Sequence, residues 1–310
     1  VACDHYHRWR DDIRLLVDLA VKAYRFSISW PRVLPRGYGR PNPPGLDFYS
    51  RRVDGLLAAG ITPYATLYHW DLPQALQDAG GWPARETADA FARYAGLMFD
   101  TLGDRVPFWA TFNEPWVVSF LGHATGQFAP GIANIADAYQ CAHHLLLAHG
   151  KAVQEYRRRG LDGKIGIVLN TEYPVPASDS QADRDAVQRF FEEYVTVFAE
   201  PLFKGSYPRM LMDWIGPMAP RVEDGDLDLI SQPIDFLGMN YYTSRTVGFD
   251  PGGGYLKVKA APLTLPMSGH TDVGWGIYPA GLTAMLRHYS ETYPNLPPIY
   301  VTENGCAARD

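Results

Sequence analysis

The sequence predicts an α/β protein built around a parallel β-sheet. Short apolar runs rich in β-branched and aromatic residues alternate with longer stretches whose apolar residues recur every three or four positions. Parallel neighbours in a sheet need a crossover connection, which is usually a helix. The composition, 46% hydrophobic and 20% charged, is that of a globular protein with a large buried core.

The predicted strands share a short apolar run that ends in polar or aromatic residues. They cover residues 24–29, 62–69, 108–112, 164–170, 235–242 and 299–302. Ligands bind where the carboxyl ends of parallel strands converge. Functional side chains are therefore expected directly after each run.

The predicted helices have one apolar face each and several end at a glycine. Their apolar positions lie within 13–20, at 56 and 57 before Gly60, within 91–98 before Gly103, and within 145–156 before Gly160. Residues 249–271 are rich in Gly and Pro and predict a long loop. No Pro/Gly/Ser-rich linker divides the chain, which indicates one domain over residues 1–310.

Charge and cysteine content exclude several classes of function. The chain has 28 Lys and Arg against 34 Asp and Glu, a net charge of −6, which argues against nucleic acid or an anionic membrane as a partner. Cys3, Cys141 and Cys306 are too far apart for a metal or redox motif, and they favour a reducing compartment, so we expect a cytoplasmic protein. The first residue is Val1 rather than Met, which leaves secretion open.

Two carboxylates are the strongest catalytic candidates. Glu114 and Glu303 each follow an apolar strand directly and each is next to an Asn. Two carboxyl groups that face each other across a pocket can cleave a glycosidic bond. A single glutamate at a strand end can equally cap a helix or form a surface ion pair.

The segments around these glutamates resemble a known enzyme family. Residues 111–115 (TFNEP) and 300–305 (YVTENG) are similar to the acid/base and nucleophile motifs of family 1 glycoside hydrolases, the β-glucosidase family. Residues 24–32 (YRFSISWPR), 67–73 (LYHWDLP) and 240–243 (NYYT) match the family in the same order. The resemblance covers essentially the whole chain.

The resemblance implies a retaining hydrolase that acts in two steps through a covalent glycosyl-enzyme intermediate. Glu303 would attack the anomeric carbon, while Glu114 would protonate the leaving oxygen and later activate water. Such a mechanism places the two carboxyl groups roughly 5–5.5 Å apart. Arg25 and Tyr242 are expected to contact Glu303, and Asn240 to belong to the same supporting group.

Further site residues are also expected from the resemblance. His69 and Asn113 match residues that hydrogen-bond the non-reducing-end sugar, with Asn113 facing its 2-hydroxyl. Trp275 matches a platform for the aglycone. Trp70 flanks the site, either as a ligand platform or as a packing residue.

The family fold is a (β/α)8 TIM barrel, and the resemblance implies that its first and last strands are missing from this chain. We therefore expect one catalytic barrel domain, 1–310, truncated at both ends. The expected substrate is a small β-glycoside, such as a cellobiose-type oligosaccharide or an aryl or alkyl glucoside, with no cofactor and no metal. A non-catalytic carbohydrate-binding relative or an inactive fragment is the alternative. The motifs do not decide between gluco, galacto, fuco and 6-phospho sugars, nor do they indicate an oligomeric state.

Overall fold

The computed structural model describes residues 3–263 and 269–309, and its centre is a parallel β-sheet. In the described residues the strands are β1 Ala23–Ser27, β2 Thr62–Tyr68, β3 Phe108–Asn113, β4 Lys164–Thr171, β5 Val175–Pro176, β6 Phe236–Tyr241, β7 Arg245–Phe249, β8 Val258–Pro262 and β9 Ile299–Glu303. The main sheet has the order β1-β2-β3-β4-β6-β9, and all its neighbours are parallel. All six strands predicted from the sequence belong to it.

Helices connect and cover these strands. They are α1 His5–Asp18, α2 Trp30–Val33, α3 Pro43–Ala58, α4 Gln74–Asp78, α5 Glu86–Leu102, α6 Ile135–Arg158, α7 Gln181–Phe191, α8 Val197–Lys204, α9 Arg209–Ile215, α10 Asp226–Ile230 and α11 Pro279–Thr292. Two π-helical segments, Val117–Ala124 and Glu192–Thr196, lie among them. The apolar faces predicted for α5 and α6 are buried. In α1 the predicted face is only partly covered, since Ile13 and Leu16 are half-buried and Val17 is exposed, and at the end of α3 Leu56 is buried but Leu57 is exposed.

Local sequence explains how the longer helices begin and end. Helix α6 starts after Asn134, whose Oδ1 accepts hydrogen bonds from the next free backbone N–H groups. Gly60 and Gly160 have φ of 70° and 61°, the left-handed region that favours glycine after a helix. Gly103 also ends a helix, α5, but its φ is −63°, so glycine is not needed there for a left-handed backbone. A Cβ atom there would lie 2.4 Å from the carbonyl oxygen of Phe99.

The prediction of one long loop over residues 249–271 is wrong. Strands β7 and β8 form an antiparallel pair within this region, and β5 pairs with β7 to complete a second, three-stranded sheet. Glycines at 252–254 make the turn between β7 and β8, while Val247 is fully buried. The Gly and Pro content therefore correctly indicated a turn, but it gave no indication of the two strands on either side of that turn. Residues 264–268 of the predicted loop lie outside the described residues.

The main sheet is strongly curled. Six flat strands would place the two edges about 24 Å apart, at about 4.8 Å per strand. Instead, Arg25 on β1 forms an ion pair with Glu303 on β9, although these are the two edge strands. Rings also meet across the concave side, since Tyr64 and Phe236 have centroids 5.5 Å apart. The six strands thus follow the wall of a barrel, and β1 and β9 face each other across its open side.

Candidate active site

The carboxyl ends of the six parallel strands bring the candidate residues to one rim of the curled sheet. Asn113 ends β3 and Glu303 ends β9. On β6, Asn240 pairs in register with Asn170 of β4 and with Glu303. Glu114 follows β3 directly. Because all the strands run in the same direction, residues from distant parts of the sequence meet at this rim.

A continuous chain of hydrogen bonds joins the two predicted catalytic carboxylates. The Nδ2 atom of Asn240 donates to Oε1 of Glu114 at 2.8 Å and to Oδ1 of Asn113 at 3.2 Å. The guanidinium of Arg25 donates to the same oxygen of Asn113, at 3.2 and 3.3 Å. Arg25 also forms the ion pair with Glu303. Three side chains therefore connect Glu114 with Glu303.

The contacts of Glu303 stabilise a negative charge. Its Oε1 atom meets the Arg25 guanidinium, and its Oε2 atom accepts a hydrogen bond of 2.9 Å from the phenol of Tyr242. Burial, and then the bond to Glu303 and its charge, raise the pKa of Tyr242, which keeps the phenol protonated as a donor. Charge-assisted hydrogen bonds of this kind are the stronger ones in proteins. The two contacts predicted for Glu303 are therefore present.

Glu114 has the opposite environment. Its side chain is buried, and this burial raises the pKa of the carboxyl group to about 7, although the hydrogen bond from Asn240 acts in the other direction. The charge of Glu303 raises the pKa further. A carboxyl group with a pKa of about 7 can donate a proton and take one back near neutral pH.

The backbone turns sharply at Glu114. The residue has a φ of 48°, the left-handed region that side-chain-bearing residues rarely occupy, at a cost of about 1–2 kcal/mol. Its N–H donates to the carbonyl oxygen of Val168 on the next strand, at 2.9 Å. The turn ends β3 and lets Glu114 follow Asn113 on the same rim.

His69 and Asn113 lie together, as the resemblance implies. The Nε2 atom of His69 is 3.4 Å from Nδ2 of Asn113. Burial lowers the pKa of His69, even though the charge of Glu303 acts in the opposite direction. The imidazole is therefore neutral at pH 7 and can donate one hydrogen bond and accept another.

A cavity of about 710 Å³ lies in front of the two carboxylates. Ligand pockets commonly have volumes of about 300–1,000 Å³. Its lining combines aromatic rings with charged groups: Trp70, Trp116, Tyr194, Tyr242, Trp275, Glu114, Glu172, Arg245 and Glu303. The cavity therefore has flat apolar faces for a sugar ring or an aryl group beside both carboxylates.

The two predicted tryptophans differ in how they are held. Trp70 has its Nε1 atom bonded to the carbonyl oxygen of Asn113 at 3.0 Å, and its ring packs edge to face on Phe128. It therefore both packs and lines the cavity. Trp275 is 46% exposed, and its ring centroid lies 5.8 Å from that of Tyr242. An exposed ring at the mouth of a cavity suits an aglycone platform.

Two charged groups on the cavity wall, Glu172 and Arg245, are not among the predicted site residues. Glu172 follows β4, and its carboxylate accepts from Nε of Arg245 at 2.7 Å and from the phenol of Tyr194 at 3.1 Å. Burial is the largest cause of the raised pKa of Glu172, while Arg245 acts to lower it. Tyr194 lies on a π-helical segment, whose side-chain period the 3.6-residue pattern does not detect.

In residues 3–263 and 269–309, no three His, Cys, Asp or Glu side chains lie close enough together to hold a metal ion. Within the same ranges, no helix has the length and apolarity to cross a bilayer.

Comparisons with known proteins agree with this geometry. The model of "Glycosyl hydrolase family 1" matches residues 1–310. Beta-glucosidase A of Thermotoga maritima is 48% identical over 312 residues, which cover 100% of this chain and 69% of the relative. A 1,4-beta-D-glucan glucohydrolase of Thermotoga neapolitana is 45% identical over 312 residues, 100% of this chain and 72% of the relative.

Solved structures confirm the predicted (β/α)8 fold class. The family 1 β-glucosidase from Thermotoga maritima superposes with a TM-score of 0.94 at 47% identity, over 100% of this chain and 68% of that one. The same enzyme has been solved with deoxynojirimycin, with a TM-score of 0.95. Family match, sequence identity and fold agree, and the chain belongs to glycosyl hydrolase family 1.

Proposed function

We propose that this chain carries the catalytic site of a retaining β-glycosidase that hydrolyses β-glucosides, with Glu303 as nucleophile and Glu114 as acid/base. The observation that carries the proposal is the contrast between the two carboxyl groups. Glu303 meets a cation and a phenol donor, whereas Glu114 is buried with a pKa of about 7. This asymmetry stabilises a negative charge on Glu303 and favours a proton on Glu114, as the retaining mechanism requires.

In the first step, an oxygen of Glu303 bonds to the anomeric carbon of the sugar. The bond from that carbon to the glycosidic oxygen breaks, and the oxygen takes the proton of Glu114. The leaving group departs as a neutral alcohol, and the sugar stays as an ester on Glu303. After this step Glu114 is an anion and Glu303 is not.

In the second step, a water molecule attacks the same carbon from the side that the leaving group vacated. Glu114 takes a proton from the water, and the ester bond to Glu303 breaks. Two inversions at the anomeric carbon leave the product with the configuration of the substrate. Both carboxyl groups return to their starting states.

The remaining site residues are proposed to bind and orient the sugar. His69 and Asn113 supply neutral hydrogen-bond donors and acceptors beside Arg25. Hydrogen bonds that strengthen in the transition state increase the rate as well as the affinity. Trp70 and Trp275 supply apolar faces to the cavity, and Trp275 is proposed as the platform for the aglycone.

Relatives support a β-glucoside as the substrate. The proteins that match over the whole chain are named beta-glucosidase and 1,4-beta-D-glucan glucohydrolase. A bifunctional beta-D-glucosidase/beta-D-fucosidase of Bifidobacterium breve also matches, at 43% identity. We propose a small β-glucoside as substrate and no nucleic-acid or membrane partner, because a net negative charge argues against both polyanions.

Replacement of the nucleophile tests the proposal. Glu303→Ala should reduce hydrolysis of a fluorogenic β-glucoside by at least about 1,000-fold, because no covalent intermediate can form. Azide should restore turnover by entering the vacated space, and the product should be the α-glycosyl azide. Glu291→Ala, which changes an exposed glutamate on α11, is the control and should keep the original rate. Unchanged hydrolysis in Glu303→Ala would refute the assignment.

We further propose that residues 1–310 belong to a single catalytic barrel domain, which is supported by one hydrophobic core that extends from α1 to α11. A reducing compartment such as the cytoplasm is proposed from the cysteines. Cys3, Cys141 and Cys306 are all free thiols, and two of them are exposed. Thiol labelling of the protein isolated from its natural source checks this, since secretion would allow the exposed pair to be oxidised.

A further inference from the structure

One wall of the cavity in front of the two carboxylates carries an ion pair that the proposed mechanism does not use. The Nε atom of Arg245 donates to Oε2 of Glu172 at 2.7 Å, and both residues line the cavity. Glu172 directly follows β4, and Arg245 begins β7 shortly after β6. Because β4 and β6 are interior strands of the main sheet, neighbouring strands on both sides fix the position of this wall.

Glu172 is held by protein donors at both of its oxygens. Its side chain is only 7% exposed. Oε1 accepts a hydrogen bond from the phenol of Tyr194 at 3.1 Å, and Oε2 accepts the one from Arg245. A carboxylate fixed in this way orients its cationic partner, because the partner cannot rotate without giving up the bond.

Arg245 has donors left over. Only its Nε atom meets Glu172, and no described residue accepts a hydrogen bond from Nη1 or Nη2. A guanidinium has five N–H groups, so the edge formed by the two Nη atoms keeps four of them. The side chain is 42% exposed and belongs to the cavity lining. Its free edge is therefore available to a molecule bound in the cavity.

The ion pair lies on the Glu114 side of the cavity. The ring of Tyr194 lies against that of Trp116, two residues after Glu114, with centroids 4.3 Å apart. Burial is the main cause of the raised pKa of Tyr194, and the charge of Glu114 contributes to it. In the described structure, the lining of this cavity does not include His69 or Asn113, which are proposed to hold the sugar. Since Glu114 protonates the leaving oxygen in the proposed mechanism, this wall faces the leaving group.

The charges around the cavity favour a neutral ligand. Arg245 is compensated by Glu172, and Glu303 is compensated by Arg25. Glu114 has a pKa of about 7, which favours its protonated, neutral form below that pH. An anionic leaving group would therefore find no uncompensated cation on the wall, whereas neutral hydroxyl groups can accept hydrogen bonds without adding a charge.

We propose that Arg245 determines specificity for the leaving group by donating hydrogen bonds to hydroxyl oxygens of a neutral sugar, with Glu172 as its positioning residue. The planar fork of a guanidinium matches two adjacent oxygens, which neighbouring hydroxyl groups of a sugar provide and an alkyl chain lacks. Trp116 and Trp275 on the same cavity supply flat faces for the sugar ring. The inference rests on the proposed hydrolase function and names its preferred substrates, glucosides whose leaving group is a second sugar.

Two substrates with the same glucosyl group test this proposal. The leaving group of cellobiose is glucose, whereas that of hexyl β-glucoside has no further hydroxyl group. Arg245→Met keeps the approximate length of the side chain and removes its donors. It should lower kcat/KM for cellobiose by about 10- to 150-fold, the contribution of a hydrogen bond from a charged group. The value for hexyl β-glucoside should change by less than about threefold.

A surface arginine provides the matched control. Arg51 pairs with Asp47 at 2.7 Å on α3 and is exposed, so Arg51→Met makes the same replacement without affecting either substrate. Glu172→Gln tests the positioning role, because it removes the charge that holds Arg245 but keeps an oxygen that can accept. It should cause a smaller loss, about 3- to 10-fold, for cellobiose alone. If Arg245→Met fails to fold, the double variant Glu172→Gln/Arg245→Met makes the same comparison without an unpaired carboxylate.

A loss confined to cellobiose supports the role of Arg245. Equal losses for the two substrates, as from a general loss of structure, overturn it, and so does the absence of any loss. A larger loss for 4-carboxyphenyl β-glucoside than for cellobiose also overturns it, because Arg245 would then serve an anion.

Binding separates this inference from the proposed function. If the unmodified chain cleaves neither substrate, the hydrolase proposal fails, and calorimetry with sulfur-linked cellobiose, which is not cleaved, decides the role of Arg245. Arg245→Met should bind this analogue at least about tenfold more weakly than Arg51→Met does. Equal affinity in the two variants, or no binding by either, overturns the inference.

Discussion

The Nδ2 atom of Asn240 donates a hydrogen bond of 2.8 Å to Oε1 of Glu114. The direction of this bond follows from the neighbouring groups. Arg25 can only donate, so the Asn113 atom that it contacts is an oxygen. The Asn240 atom that shares this oxygen must then be a nitrogen, and so Glu114 accepts. The proton of Glu114 is consequently placed on its other oxygen, Oε2, which is free to face a leaving group.

The raised pKa of Glu114 predicts the alkaline limb of the pH profile. The group must be protonated in the first step, so kcat/KM should fall as the pH rises through about 7. Glu114→Gln should remove this limb and slow cleavage of an alkyl glucoside by about 100- to 10,000-fold. Bond cleavage in an aryl glucoside with an acidic phenol should be affected much less. If the limb persisted in Glu114→Gln, another group would be the acid.

Asn240 is expected to influence the pH at which kcat/KM falls, because it bonds to Glu114. Its hydrogen bond lowers the pKa of Glu114, in opposition to burial. Asn240→Ala should therefore raise the pKa and move the alkaline limb to higher pH. Thr302→Val should cause a smaller shift in the same direction, because Oγ1 of Thr302 anchors the amide of Asn240 at 2.7 Å. A limb that moved to lower pH in Asn240→Ala would contradict this role.

Tyr242→Phe should mainly slow the chemical step. It removes the phenol that donates to Oε2 of Glu303 at 2.9 Å and leaves the ring in place. A hydrogen bond to a charged group contributes about 1.5–3 kcal/mol, which corresponds to a fall in kcat of about 10- to 150-fold. Tyr38→Phe is the control, because that phenol is on the surface and, among the described residues, bonds only to Arg36. Equal kinetics in both variants would show that Tyr242 does not support the nucleophile.

Glu193 should make the protein less stable as the pH rises. The carboxyl group is buried and accepts hydrogen bonds from the phenols of Tyr139 and Tyr255, and burial raises its pKa to about 7. The folded state therefore holds this proton more tightly than the unfolded state does. The free energy of unfolding should decrease by up to about 3 kcal/mol between pH 4.5 and pH 7.

Glu193→Gln tests this dependence because glutamine cannot ionise. Denaturant unfolding at several pH values should show a flatter profile for this variant than for the unmodified chain. Glu291→Gln, at an exposed position, should retain the original slope. An unchanged slope in Glu193→Gln would mean that other groups carry the pH dependence.

Much of the site could be predicted because parallel strands place their carboxyl ends together. Glu114, Asn240 and Glu303 each lie at the end of an apolar run that the sequence marks clearly. Their neighbours across the rim could not be found from spacing. The contact of Arg25 with Glu303 joins the two edges of the sheet and was expected only from the family resemblance.

The region between β4 and β6 was harder to predict for a physical reason. It contains a π-helical segment and several short helices, whose apolar residues do not repeat at a constant interval. Tyr194 and its bond to Glu172 lie there. The strands β7 and β8 were missed because three successive glycines suggested a loop, although cross-strand pairing rather than local preference stabilises the hairpin.

Arg25 and Glu303 are 278 positions apart in the chain. At about 5–20 residues per second, a ribosome needs about 14–56 s to synthesise the chain between them. During this interval Asn113 and then Asn240 join the guanidinium on the growing polypeptide, and the carboxylate of Glu303 is made after all three. The nascent protein therefore has no nucleophile for a glycoside until β9 has been made and has docked against β6.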